Sequence, residues 1–207
     1  MATAGRLLLM PEARRAPAKP AAMPAAALAI EEADADARLG DVAAGRAEAA
    51  WCWAACVGAI MRRHGQALDQ RRIVAQLHER RPDLPAWGRS LADATSRRWL
   101  SDDYRWFLCR CDVLWEGAAG ERMAAAIIAA RALADGDPLI LGAGGHAMVL
   151  TALTFARDGR GNGQPLAGIV RDPWPGAGRR ALRPGEWAAA RFLARLNVAA
   201  DDAEWWR

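Results

Sequence analysis

The sequence predicts an α+β fold, on two observations. Helical periodicity dominates the first half of the ordered chain and strand periodicity the second, and the change of period falls at a single turn, Asp135-Gly136-Asp137-Pro138. At 207 residues the chain suits one compact domain that buries most of its apolar surface without disulfides.

Residues 1–40 are rich in Ala, Pro and Arg, then in Glu and Asp from Glu31 to Asp36, and have little to bury. They read as a flexible tail, with 25–37 able to form a helix that lacks an apolar stripe. The ordered domain is expected over 41–207. Residues 49–64 are apolar on most helical turns and end at Gly65, a suitable stop. A second helix fits 69–80, with Asp69 as N-cap and Pro82 beyond its end. A third fits 90–100, and 104–115 alternates loosely as a strand.

Residues 121–133 form an alanine- and isoleucine-rich helix closed by the Asp-Gly-Asp-Pro turn. Strands are expected at 139–143, 146–156 and 166–171, with 158–163 as the loop between the last two. Pro184 suits the first turn of a closing helix over 184–196. Helices therefore precede strands, giving two lobes set against each other.

Charge narrows the function classes. The net charge of +4 is carried almost wholly by arginine, with Lys19 the only lysine, and is dispersed among acidic residues. Such a pattern tunes solubility more than it selects a partner, and no nucleic-acid-binding motif accompanies it. The apolar run 7–10 is shorter than the ~7–15 residues of an export signal core, and no run approaches the ~18 of a membrane helix. The expectation is a protein without membrane association, either cytoplasmic or exported by a non-classical route.

Three segments carry chemistry. The first is Trp51-Cys52-Trp53-Ala54-Ala55-Cys56, where a helix begins. A cysteine there meets unpaired backbone N–H groups and the positive end of the helix dipole, which favour the reactive thiolate. The same N–H groups can hold an oxyanion. Alone, Cys52 reads equally well as a small core residue. Cys56, one turn on, reads as structural.

The second is the glycine-rich Gly142-Ala143-Gly144-Gly145 followed by His146 at the start of an apolar strand. His64 and His78 lie at helix ends, where histidine commonly meets the C-terminal dipole. The third is Asp172-Pro173-Trp174-Pro175-Gly176, a carboxylate at a strand end before a rigid turn. Such a carboxylate can orient an imidazole and stabilise its cation, with Trp174 as a shield. It is also how an ordinary Asp-Pro turn begins.

Together, Cys52-Trp53-Ala54, Gly145-His146-Ala147 and Asp172-Pro173-Trp174 give a chain that resembles the papain-like cysteine proteases of clan CA. The likeness spans roughly residues 45–195. It is nearest to compact bacterial members, the effector proteases and the peptidase domains that cut double-glycine leaders. It implies a two-lobe fold, with the nucleophile opening the central helix of a helical lobe and an antiparallel β lobe behind it. It also implies a Cys52–His146–Asp172 triad acting on a peptide or protein substrate, without metal or organic cofactor. Cysteine and histidine are ~95 residues apart, against ~130–150 in papain and the cathepsins, which fits a trimmed version. One departure concerns the glutamine usually found before the cysteine as an oxyanion donor. Here the stretch reads Gly45-Arg46-Ala47-Glu48-Ala49-Ala50. Arg46 is the substitute candidate, or the backbone N–H of Cys52 acts alone, and Trp53 is a further candidate for lining or shielding the site.

Other readings stay open at this point. A degenerate fold that only binds is supported by the missing glutamine. A deamidase or acyltransferase would use the same triad. A zinc site on Cys52, Cys56, Cys109 and Cys111 is disfavoured, because C-x₃-C and C-x-C are not the usual C-x₂-C knuckles.

Overall fold

A computed structural model describes residues 29–34, 51–78, 88–117, 122–157 and 163–201. The elements in chain order are β1 (Ala29–Asp34), α1 (Cys52–Arg63), α2 (Gln70–His78), α3 (Arg89–Thr95), β2 (Arg97–Leu100) and β3 (Trp106–Glu116). They continue with α4 (Arg122–Ala134), β4 (Leu139–Ala143), β5 (His146–Arg157), β6 (Gly163–Asp172), β7 (Gly178–Ala181), α5 (Pro184–Ala188) and β8 (Ala190–Ala200). The α+β class stands.

Helix α1 is apolar around its whole circumference, and every residue from Cys52 to Met61 is buried. It ends in a Schellman motif. Gly65 takes φ +75°, its N–H bonds Arg62 O at 2.9 Å, and Gln66 N–H bonds Met61 O at 3.0 Å. Asp69 caps α2 as expected, its Oδ1 accepting from Arg71 N–H at 2.6 Å. The expected far end of that helix, at Arg80 and Pro82, lies outside the described residues.

All strand pairs are antiparallel, and the sheet runs β2-β3-β8-β4-β5-β6-β7. Strand β1 pairs with the outer half of β5, from Ala29 opposite Arg157 to Asp34 opposite Ala152. Part of the segment expected to be a free tail therefore belongs to the sheet.

Alternation along the strands shows two cores. On β4, Ile140 faces one side while Leu139, Leu141 and Ala143 face the other. On β5, Ala147 and Val149 oppose Met148 and Leu150; on β8, Phe192, Ala194 and Leu196 oppose Leu193. Helix α1 packs on the first face and α4 on the second. The strands of both chain halves thus join one antiparallel sheet, with α1 on one face and α4 on the other.

Two further expectations are corrected. Residues 97–100, assigned to the third helix, form β2, because α3 stops at Thr95 and Trp99 pairs opposite Phe107. The closing helix shrinks to α5, and the chain beyond it becomes β8, between β3 and β4. A strand buried on both faces loses the polar alternation that marks a strand, and its alanines read as helix formers.

Candidate active site

Three element ends meet. Strands β5 and β6 run antiparallel with Val149 opposite Arg171, so the start of β5 and the end of β6 lie together. His146 opens β5 after the hairpin turn Gly144-Gly145, whose residues take φ +57° and +78°. Two consecutive positive φ values give a type I′ turn, which glycine adopts without the Cβ penalty. Asp172 closes β6. Helix α1, lying across the sheet, brings Cys52 to the same corner, where Ala147 N–H points at its Sγ from 3.4 Å.

His146 Nε2 lies 2.7 Å from Asp172 Oδ1. The carboxylate only accepts, so Nε2 carries the hydrogen and Nδ1 is left for the thiol. Cys52 and His146 shift each other's protonation, the imidazole lowering the thiol and the thiol raising the imidazole. Asp172 Oδ1 also accepts from Trp174 N–H at 2.8 Å, the local turn that Asp-Pro-Trp begins. Trp174 stands edge-on to the imidazole, with centroids 6.2 Å apart and an interplanar angle of 77°, and remains 54% exposed.

The electrostatics follow from these partners. Burial pushes the Cys52 thiol up, but hydrogen bonds from His146, Ala147 N–H and Trp53 N–H, with the His146 charge, bring it below the ordinary thiol value. The bond to Asp172, then that to Cys52, raises His146 to about 9. Burial would raise the Asp172 carboxyl, yet its bonds to His146, Trp174 N–H and Arg180 hold it well below the usual range. These directions favour thiolate, imidazolium and carboxylate together. The remaining thiols of Cys56, Cys109 and Cys111 are buried and pushed up, first by loss of solvation.

Among the described residues the N-cap of α1, Trp51, makes no side-chain cap bond to the first N–H groups of the helix. Trp53 is 4% exposed and packs in the core that seats α1. Arg46 lies outside the described residues. Beside the Gly144-Gly145 turn, a cavity of about 470 Å³ is lined by Glu116, Gly117, Ala143, Gly145, Arg191 and Phe192, among others. Strand pairing sets Gly142, also in its wall, opposite Ala147, which bonds the thiol.

Three contributors escaped the sequence reading. Arg180 forks onto Asp172 Oδ2 through Nε at 2.9 Å and Nη2 at 2.7 Å. Glu186 receives the other side of the same guanidinium, Nη1 at 2.8 Å and Nη2 at 2.7 Å. Gln70 Nε2 donates to Trp51 O at 2.9 Å, tying α2 to the residue before Cys52. No local motif marks any of them, since each meets its partner only through the fold.

Among the described residues no three His, Cys, Asp or Glu side chains are grouped as a metal ion would require. No helix of the described chain is long and apolar enough to cross a membrane.

No known family profile matches the sequence, and no curated protein matches it. Among solved structures the chain is similar to a double glycine motif protease from an AMS/PCAT transporter, crystallised with its leader peptide. Identity is 12%, the TM-score is 0.45, and the alignment covers 82% of this chain and 99% of that one. At that level of similarity the chemistry has to be read from this chain's own residues.

Proposed function

We propose that the chain is a papain-like cysteine hydrolase that cleaves an amide bond in a peptide or protein through Cys52, His146 and Asp172. The observation that carries this reading is the 2.7 Å contact of His146 Nε2 with Asp172 Oδ1 beside the Cys52 thiol, which Ala147 N–H meets at 3.4 Å where α1 begins. A core cysteine needs none of these partners.

The Cys52 thiolate attacks the amide carbonyl, and the first N–H groups of α1 take the charge that develops on oxygen. His146 imidazolium gives its Nδ1 proton to the leaving nitrogen, which departs as the amine and leaves a thioester on Sγ. Neutral His146 then draws a proton from water. The resulting hydroxide equivalent displaces the thiol and releases the acid. Asp172 stays ionised throughout and keeps Nε2–H aligned. The cavity beside the Gly144-Gly145 turn is assigned to a substrate side chain, its wall combining glycine backbone and the Phe192 ring with Glu116 and Arg191. Without a glutamine donor upstream, the turnover expected is lower by the ~10²–10³ that one oxyanion donor contributes.

The test is alkylation of the folded protein by limiting iodoacetamide from pH 5 to 9, each cysteine being mapped by mass spectrometry. Cys52 is expected to label first and at the lowest pH, and to lose that selectivity in His146→Ala. Cys52 labelling no faster than Cys56, Cys109 and Cys111 would overturn the proposal.

A further inference from the structure

We propose that Arg180, itself held by Glu186, is the positioning residue of this site, fixing the Asp172 carboxylate so that one chosen oxygen meets His146. The inference rests on the hydrolase reading for its purpose, though its geometry stands independently.

A carboxylate at a strand end has one soft torsion, and rotation about it exchanges or tilts its two oxygens. Oδ2 of Asp172 is held by two donors of one rigid guanidinium. A planar fork on a single oxygen and its neighbouring plane restricts that rotation in a way a lone point charge does not. Oδ1 is then committed to His146 Nε2 and Trp174 N–H. The Asp172 side chain is only 6% exposed, so no water replaces a donor that is lost.

Arg180 is fixed in turn. Glu186 takes a hydrogen from each terminal nitrogen, Ala181 O accepts from Nη1 at 3.0 Å, and Met148 Sδ lies 3.1 Å from Nη2. Glu186 is anchored independently, because its Oε2 accepts Arg183 N–H at 2.8 Å as part of the capping box that starts α5. The short helix α5 thus has a use at the site: it delivers the carboxylate that holds the arginine that holds the aspartate. Charge is balanced as well. Arg180 lies between two carboxylates, so it orders Asp172 without leaving an uncompensated cation near the imidazolium.

The groups facing Asp172 come from four elements: His146 on β5, Arg180 on β7, Cys56 on α1, and, across the arginine, Glu186 with Arg183 at α5. Two variants therefore give changes of one sign. Arg180→Lys keeps the charge and removes the fork, which loosens the Asp172–His146 bond. Glu186→Gln keeps the capping box and loosens the arginine, and no direct effect of Glu186 on His146 enters. Both lower the affinity of His146 for its proton.

The experiment follows the His146 ring by NMR through a pH titration of the full chain, in the parent, both single variants and the double. We expect the His146 midpoint, about 9 in the parent, to fall by about one unit in Arg180→Lys. A smaller fall is expected in Glu186→Gln. The double variant should fall no further than Arg180→Lys, because Glu186 acts through the arginine. A His146 midpoint unchanged in the folded variants, or strictly additive shifts, would overturn the proposal. If Arg180→Lys does not fold, Glu186→Gln decides alone. Iodoacetamide labelling of the parent, run beside it, judges the hydrolase reading separately: an unreactive Cys52 with the expected His146 shifts retains the clamp and removes its catalytic purpose.

Discussion

At the scale of single residues, the site depends on opposed effects at Cys52. Burial works against the thiolate, and the hydrogen bonds from His146, Ala147 N–H and Trp53 N–H, with the His146 charge, reverse it. Cys52→Ala is therefore expected to abolish hydrolysis and selective alkylation. Cys56→Ala should keep both while unfolding more readily, by on the order of 1 kcal/mol, in a denaturant titration. Stability should also follow pH with a definite sign. His146 is raised to about 9, so its contribution is complete below the unfolded value of ~6.5 and is lost as pH rises through about 9. In Cys52→Ala, which lacks the oppositely shifted thiol, the melting temperature should fall between pH 6.5 and 10, and by less when His146→Ala is added. Asp172, lowered, behaves oppositely: its contribution is present above the ordinary aspartate value and fades on acidification, which melting from pH 5 downward would show.

At the scale of elements, the hairpin β4–β5 and strand β8 set the position of the site. Gly142 is in β4 because a Cβ there would stand 1.9 Å from Phe192 Cε1, and Phe192 is almost wholly buried. Gly142→Ala should cost about 1–3 kcal/mol in equilibrium unfolding, since the ring has little room to withdraw. The larger consequence falls on the cavity beside the Gly144-Gly145 turn, which Gly142 and Phe192 both line. Strand β8 bonds β3 along one edge and β4 along the other. Ending the chain after Ala189 would unpair both, so such a variant should show no cooperative melting.

At the scale of the whole molecule, one sheet separates two cores, and the candidate site draws on both faces: α1 from one side and the Arg180–Glu186 pair from the other. Strand β1 takes up the edge of β5 beyond the end of β4, where Ala152 to Arg157 would otherwise be unpaired. Removing residues 1–35 should speed amide exchange across 152–157 and promote association through that edge. Equal exchange in the two proteins would show that β1 does not protect it.

Local pattern was enough for much of this protein. The α+β class, helix α1 with its stop at Gly65, strand β4 and the order of the three site segments are all written in short-range periodicity and turn chemistry. Those signals arise from one stretch of chain burying one face, or from a glycine where only glycine suits the backbone. Tertiary structure decided the rest. Residues 97–100 and 190–200 are strands because partners from distant segments bond them, against what their own composition suggests. Arg180, Glu186 and Gln70 carry no signature, because an arginine in a strand or a glutamate in a helix acquires a role only from what the fold sets beside it. Sequence determined which groups could do the chemistry; packing decided which of them are held where it can occur, since orientation in a buried corner is a property of contacts between segments.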